Sequence, residues 1–209
     1  MINEVLSMRK SIPMLSAALV LGVGFVPAAN AFTLSVVPQA STVNVGDTVS
    51  VDVVASDLVS GGAPSLGAYD LNLTFDSAVL SFSSIAFGSG LSVTGAPSII
   101  QDFALGTGSV NPFEVSLEDT VDLNALQVGA FTLFTITFNA AHAGTSSLSL
   151  GVNSLSSAEG AALTANTLNG ASISVAGAPA VPLPAAAWLL LSGIAGVGSL
   201  ARRRRGMAA

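Results

Sequence analysis

The chain contains no cysteine, so it can form no disulfide, offers no thiolate nucleophile and brings no thiol to a zinc site. A domain built from it must be held by packing. Basic residues are almost as scarce. Arg9, Lys10, Arg202, Arg203, Arg204 and Arg205 account for all six, and none lies between Lys10 and Arg202. Of the twelve acidic residues, all but Glu4 fall between Asp47 and Glu159, so the interior of the sequence holds eleven acids and no Lys or Arg. Such a segment cannot neutralise phosphates, which excludes a nucleic-acid partner. It forms no Lys or Arg salt bridge either, so each acid must be solvated, hydrogen-bonded or bound to a cation. Trypsin finds no site in it.

Other side chains that serve chemistry are equally thin. Histidine occurs once, as His142 in Ala140-Ala141-His142-Ala143-Gly144, which reads as a surface loop after a strand. A Ser-His-Asp arrangement would have to use that residue, and zinc has too few ligands. Two carboxylates can cleave a glycoside, but no pair is set apart from the remaining acids. This inventory predicts a protein that is not an enzyme. The sole Trp, Trp188, lies near the C-terminus. The sole Tyr, Tyr69, is in phase with Leu71 and Leu73 and is expected in a core. A flat aromatic platform for sugar rings is therefore missing.

The charged ends carry sorting information. Arg9 and Lys10 form an n-region, Ile12 to Val26 an apolar h-region, and Ala29-Asn30-Ala31 a small-residue cleavage site, which predicts a signal peptide over 1–31. At the other end, a linker and Pro-containing motif (177–184) lead into an apolar helix-forming stretch (185–201) and a basic cytoplasmic tail (202–209). Seventeen helical residues span roughly 25 Å, just enough for a hydrocarbon core about 27 to 30 Å thick. Four arginines in lipid cost several kcal/mol each, so Arg202 to Arg205 stop transfer and leave everything before the helix outside. The order of Val181-Pro182-Leu183-Pro184-Ala185, apolar helix and arginine cluster resembles the PEP-CTERM class of bacterial surface proteins, in its Val-Pro-Leu-Pro-Ala variant. That resemblance implies transient anchoring in the inner membrane and cutting by an exosortase near Val181 to Ala185. A stop-transfer anchor that is never cut is the competing reading.

Removing both ends leaves about 150 residues, enough for one core that buries about 70% of the unfolded surface. Period-two alternation recurs throughout it, without convincing helical periodicity. Leu34 and Val36 alternate with Ser35 before Pro38 ends the run. Val49, Val51 and Val53 follow a turn at Asn44 to Asp47. Tyr69, Leu71, Leu73 and Phe75 face one way, and Asp70, Asn72, Thr74 and Asp76 the other. Parity slips between Phe82 and Ile85, and again between Leu133 and Phe134, which predicts a β-bulge or a doubly buried stretch at each place. Strand signals fade between Gly88 and Asn111. The pattern predicts an antiparallel β-sandwich of about eight or nine strands over 32–176.

The order of Val45-Gly46-Asp47-Thr48-Val49-Ser50-Val51, Gly67 through Leu80, Val128-Gly129-Ala130-Phe131, Ala143-Gly144-Thr145-Ser146 and Asn169 through Val175 resembles a cohesin domain. The resemblance implies a jelly-roll sandwich and, as one function, recognition of a dockerin-like protein or a polysaccharide. The acid cluster Glu118-Asp119-Thr120-Val121-Asp122 reads first as a solvated acidic loop; its oxygen ligands would also suit calcium, which some cohesin-like domains carry, although it lacks EF-hand spacing. Together these features predict an exported, exosortase-processed structural or adhesive protein of the cell surface or extracellular matrix, with recognition as the alternative.

Overall fold

The structure, a computed structural model, describes residues 32–95 and 98–177 together with Gly193. The expected signal peptide with Ala29 and Ala31, the motif Val181 to Ala185, Arg202 to Arg205 and, Gly193 apart, the expected span 185–201 lie outside the described residues. Among the described residues no helix is long and apolar enough to cross a membrane.

Alternation becomes strand burial as the side-chain period of two requires. Strand β1 (Phe32–Pro38) buries Phe32, Leu34 and Val36. After the short β2 (Thr42–Asn44), the Asp47 carboxylate accepts from the backbone N–H of Asn44 at 2.9 Å, and Gly46 supplies the positive φ of +94° that the turn needs. Strand β3 (Thr48–Ser56) then buries Val49, Val51, Val53 and Ala55, and β4 (Leu66–Thr74) buries Leu66, Tyr69, Leu71 and Leu73. The chain continues through β5 (Leu80–Phe87), β6 (Ile99–Gly106), β7 (Ser109–Ser116), the helix α1 (Thr120–Leu126), β8 (Phe131–Ala140), β9 (Gly144–Ser157), β10 (Ala165–Asn169) and β11 (Ala171–Ala176).

The strands form two sheets, of order β10-β1-β3-β8-β5 and β2-β11-β9-β4-β7-β6. Three aromatic contacts tie one to the other. Tyr69 of β4 meets Phe134 of β8 with ring centroids 6.0 Å apart, Phe75 meets Phe138 at 4.8 Å, and Phe82 of β5 meets Phe103 of β6 at 5.6 Å. These distances suit tilted aromatic packing, and the apolar inner faces between them make a single core.

Both expected bulges are present. Phe82 pairs with Phe138 but Ser84 with Thr137, so Ser83 is the extra residue in β5. Val53 pairs with Phe134 but Val54 with Thr132, so Leu133 is extra in β8, and Leu133 and Phe134 are both buried. The strand expectation is corrected in three respects. Eleven strands are seen among the described residues rather than eight or nine. Two edge pairings, β1 with β10 and β2 with β11, are parallel. A helix, α1, occupies residues where no helical period was read. The causes are length and exposure: β2 has three residues, α1 has seven with only Leu123 buried, and β6 is an edge strand that exposes most of its side chains. None of these shows enough buried positions to establish a period.

Candidate recognition face

The outer surface of the six-stranded sheet brings together residues from four strands. Register places Asp70 of β4 opposite Phe113 of β7 on one side and Ser154 of β9 on the other, and Phe113 opposite Asp102 of β6. The next outward row sets Ala68 beside Val115 and Val115 beside Ile100. Ile100 is 53% exposed and Val115 37%. An apolar strip of Ile100, Val115 and Phe113 is thereby flanked by the carboxylates of Asp70 and Asp102.

Asp70 is held in place. Its Oδ1 accepts from Asn111 Nδ2 at 2.7 Å and from Asn153 Nδ2 at 2.9 Å. Asn153 reaches it because β9 carries a bulge there: Asp70 pairs with Ser154 but Leu71 with Val152, leaving Asn153 over. A second bulge at Gly67 keeps β9 close at the head of β4. A Cβ on that residue would lie 2.5 Å from the Ser157 carbonyl oxygen, so only glycine fits.

Strand β7 inverts the usual order of polarity. Phe113 and Val115 point outward while Glu114 between them is 1% exposed. The Tyr69 hydroxyl explains the inward acid, since it lies 2.8 Å from Glu114 Oε2 and 3.2 Å from the Leu133 carbonyl oxygen. Burial raises the Glu114 carboxyl above the ordinary glutamate range, an effect that the bond from Tyr69 partly offsets. Burial, and then the neighbouring carboxyl, push the Tyr69 hydroxyl up in turn.

The sequence-derived positions are dispersed. Tyr69 lies in the core as expected. His142 is exposed in the turn between β8 and β9. Asp119 is the N-cap residue of α1 but its side chain makes no capping bond, and Asp122 lies in the first helical turn. Glu118 accepts from the Thr94 hydroxyl at 2.8 Å through both oxygens. The segment that holds these acids is thus partly helical, and among the described residues no three His, Cys, Asp or Glu side chains come together as metal ligands. Asp102, Phe113, Val115 and Ile100 were not singled out from sequence. The one available signal, two apolar residues bracketing Glu114, normally means that the acid faces water.

The cohesin-domain family model matches residues 34–175. The chain belongs to the cohesin-domain family. Cohesin domains are non-catalytic protein–protein recognition modules, in agreement with the expectation that the protein is not an enzyme. Among solved structures, this cohesin domain is similar to the OlpC cohesin of Clostridium thermocellum, described as part of a type I cohesin–dockerin complex. That pair shares 13% identity over 71% of this chain and 95% of the other, with a TM-score of 0.57. CaCohA2 of Clostridium acetobutylicum is 20% identical over 70% and 92% of the two chains, with a TM-score of 0.52. A non-cellulosomal cohesin of the archaeon Archaeoglobus fulgidus is 17% identical over 70% and 91%, also at 0.52. At these identities the likeness establishes the fold. Among curated proteins none matches the chain.

Proposed function

We propose that this chain is an exported recognition module whose cohesin domain binds a dockerin-like protein across the outer face of the six-stranded sheet. The observation that carries this reading is β7 turned inside out, with Phe113 and Val115 facing outward beside the clamped Asp70. Aromatic and aliphatic side chains displayed next to a fixed acceptor are the usual material of an interface centre. Both amide bonds to Asp70 fall on Oδ1, so Oδ2 is the oxygen a partner's donor would reach. A domain with eleven acids and no Lys or Arg also selects by charge: a basic partner is steered to it, and a second acidic copy is repelled. Family membership and the dockerin complexes of its structural relatives support the same partner class.

Export completes the proposal. The leader ending at Ala31 delivers the domain outside, the tail holds it at the inner membrane, and an exosortase cuts near Val181 to Ala185, so that recognition takes place at the cell surface or in the surrounding matrix. A polysaccharide is the weaker partner, because Tyr69 is buried and the domain has no Trp on which a sugar ring could stack.

The test immobilises the full-length protein, as wild type and as Asp70→Asn/Phe113→Ala, and presents both with the secretome of the producing organism. The expected result is one stoichiometric protein of dockerin-like sequence on the wild type, bound at least about 30-fold more weakly by the variant, as loss of a hot-spot contact implies. Equal capture by both, or capture of polysaccharide alone, overturns the reading.

A further inference from the structure

Glu114 is the only acid buried among the described residues, and its surroundings fix how many protons it shares with Tyr69. Two acceptors, Glu114 Oε2 and the Leu133 carbonyl oxygen, lie within hydrogen-bond reach of the Tyr69 hydroxyl. A phenol has one hydrogen. With Glu114 ionised, only one of the two acceptors is served, and Oε1, which has no partner, leaves charge unsatisfied in the core. With Glu114 protonated, it donates to the Tyr69 oxygen and Tyr69 donates to Leu133, so the one added proton completes both bonds.

No cation offers a different solution. The domain has no Lys or Arg, and His142 is exposed beyond the end of β8, whereas Leu133 stands near its start. The carboxyl meets the Tyr69 hydroxyl from β4, whose other acceptor is the Leu133 carbonyl of β8, and register pairs Glu114 with Tyr69 on one side and with Gln101 of β6 on the other. Asp70 and Asp102 occupy the alternate, outward positions of their strands. Among the described residues, Tyr69 is thus the one other titratable group that meets Glu114.

We propose that Glu114 is carried as a neutral acid in a proton chain from Glu114 to Tyr69 to Leu133, and that its ionisation as pH rises loosens β7 beneath the outer face of the sheet. The direction follows from linkage. A carboxyl raised in the folded state binds more protons there than when unfolded, so its stabilising contribution is complete below the ordinary glutamate value of about 4.3 and is lost as pH climbs toward the folded value. A comparison with Glu114→Gln isolates this group, because every other acid is common to the two proteins. Gln keeps a donor for the Tyr69 oxygen and cannot ionise.

Thermal unfolding of the full-length wild type and Glu114→Gln from about pH 4 to about pH 9 tests the chain. The wild type is expected to fall relative to the variant by about 3 to 5 °C per pH unit across the window between the two pKa values. A constant difference, or a wild type that gains on the variant as pH rises, overturns the proposal. If the variant does not fold, wild-type protein labelled at glutamate Cδ decides, because only Glu4, Glu114, Glu118 and Glu159 contribute signals. One carboxyl resonance titrating above the ordinary glutamate range supports the chain, and none doing so refutes it. Neither readout involves a binding partner, so failure here is separable from failure of the recognition reading.

Discussion

Gln127 closes α1 against the sheet, and removing its side chain is the sharpest test of how the middle of the domain is held. The residue is 2% exposed. Its amide acts as a one-residue strand partner: Oε1 accepts from the Leu66 N–H at 2.7 Å, while Nε2 donates to the Leu66 carbonyl at 2.9 Å and to the Gly90 carbonyl at 3.0 Å. Gln127→Ala strands one buried donor and two carbonyls. An unsatisfied buried group costs about 1 to 3 kcal/mol, and carbonyls tolerate the loss better than N–H groups, so the total comes to about 3 to 5 kcal/mol. At roughly 2 to 4 °C per kcal/mol for a domain of this size, the melting temperature drops by about 10 °C. Circular dichroism in heat and urea is the assay, since the domain has no Trp to report by fluorescence. Gln127→Glu separates shape from hydrogen bonding. It preserves the acceptor for Leu66 N–H but turns an oxygen toward two carbonyls, and is expected to be at least as damaging as alanine. Stability of the alanine variant within about 0.5 kcal/mol of wild type would refute the reasoning, because surface substitutions have that effect.

Two further outcomes follow from the core and the composition. Phe138 is fully buried with its ring 4.8 Å from that of Phe75, so Phe138→Ala should cost about 3 to 5 kcal/mol in urea unfolding; a loss under about 1 kcal/mol would mean that the inter-sheet space collapses around the void. Trypsin acting on the denatured full-length chain should leave one large fragment running from Ser11 to Arg202, and mass spectrometry finding any tryptic end inside it would contradict the charge distribution.

Much of the architecture was legible because it depends on local alternation. Leu34 and Val36, Val49 to Val53, and Tyr69 to Leu73 each repeat at the period of a half-buried strand, and the parity slips near Ser83 and Leu133 announce bulges that the pairing displays. Segments without a repeated pattern were not legible. Strand β6 is an edge, so neither of its sides is fully enclosed, and α1 is too short for its single buried Leu123 to mark a helical face. Without a helical signal, the acids at 118–122 read as a loop in sequence.

The candidate face was hidden for a different reason. Reading Phe113-Glu114-Val115 alone, one would bury the two apolar residues and hydrate the acid. The structure does the opposite: the Tyr69 hydroxyl, buried by the strong alternation of β4, meets the Glu114 carboxyl from the inward side of β7 as well as the Leu133 carbonyl of β8. Gln127 is similar: its amide is ordinary in sequence and becomes structural only when β4 presents Leu66 to it. What the sequence by itself determined is the all-acidic charge of the domain, its β-sandwich character and the parity of its clearest strands, all of which are properties of composition and near neighbours. Which side of β7 faces water, and hence whether Phe113 and Val115 are core or contact surface, was decided only by tertiary structure, since register between strands distant in sequence sets which polar groups must find partners inside.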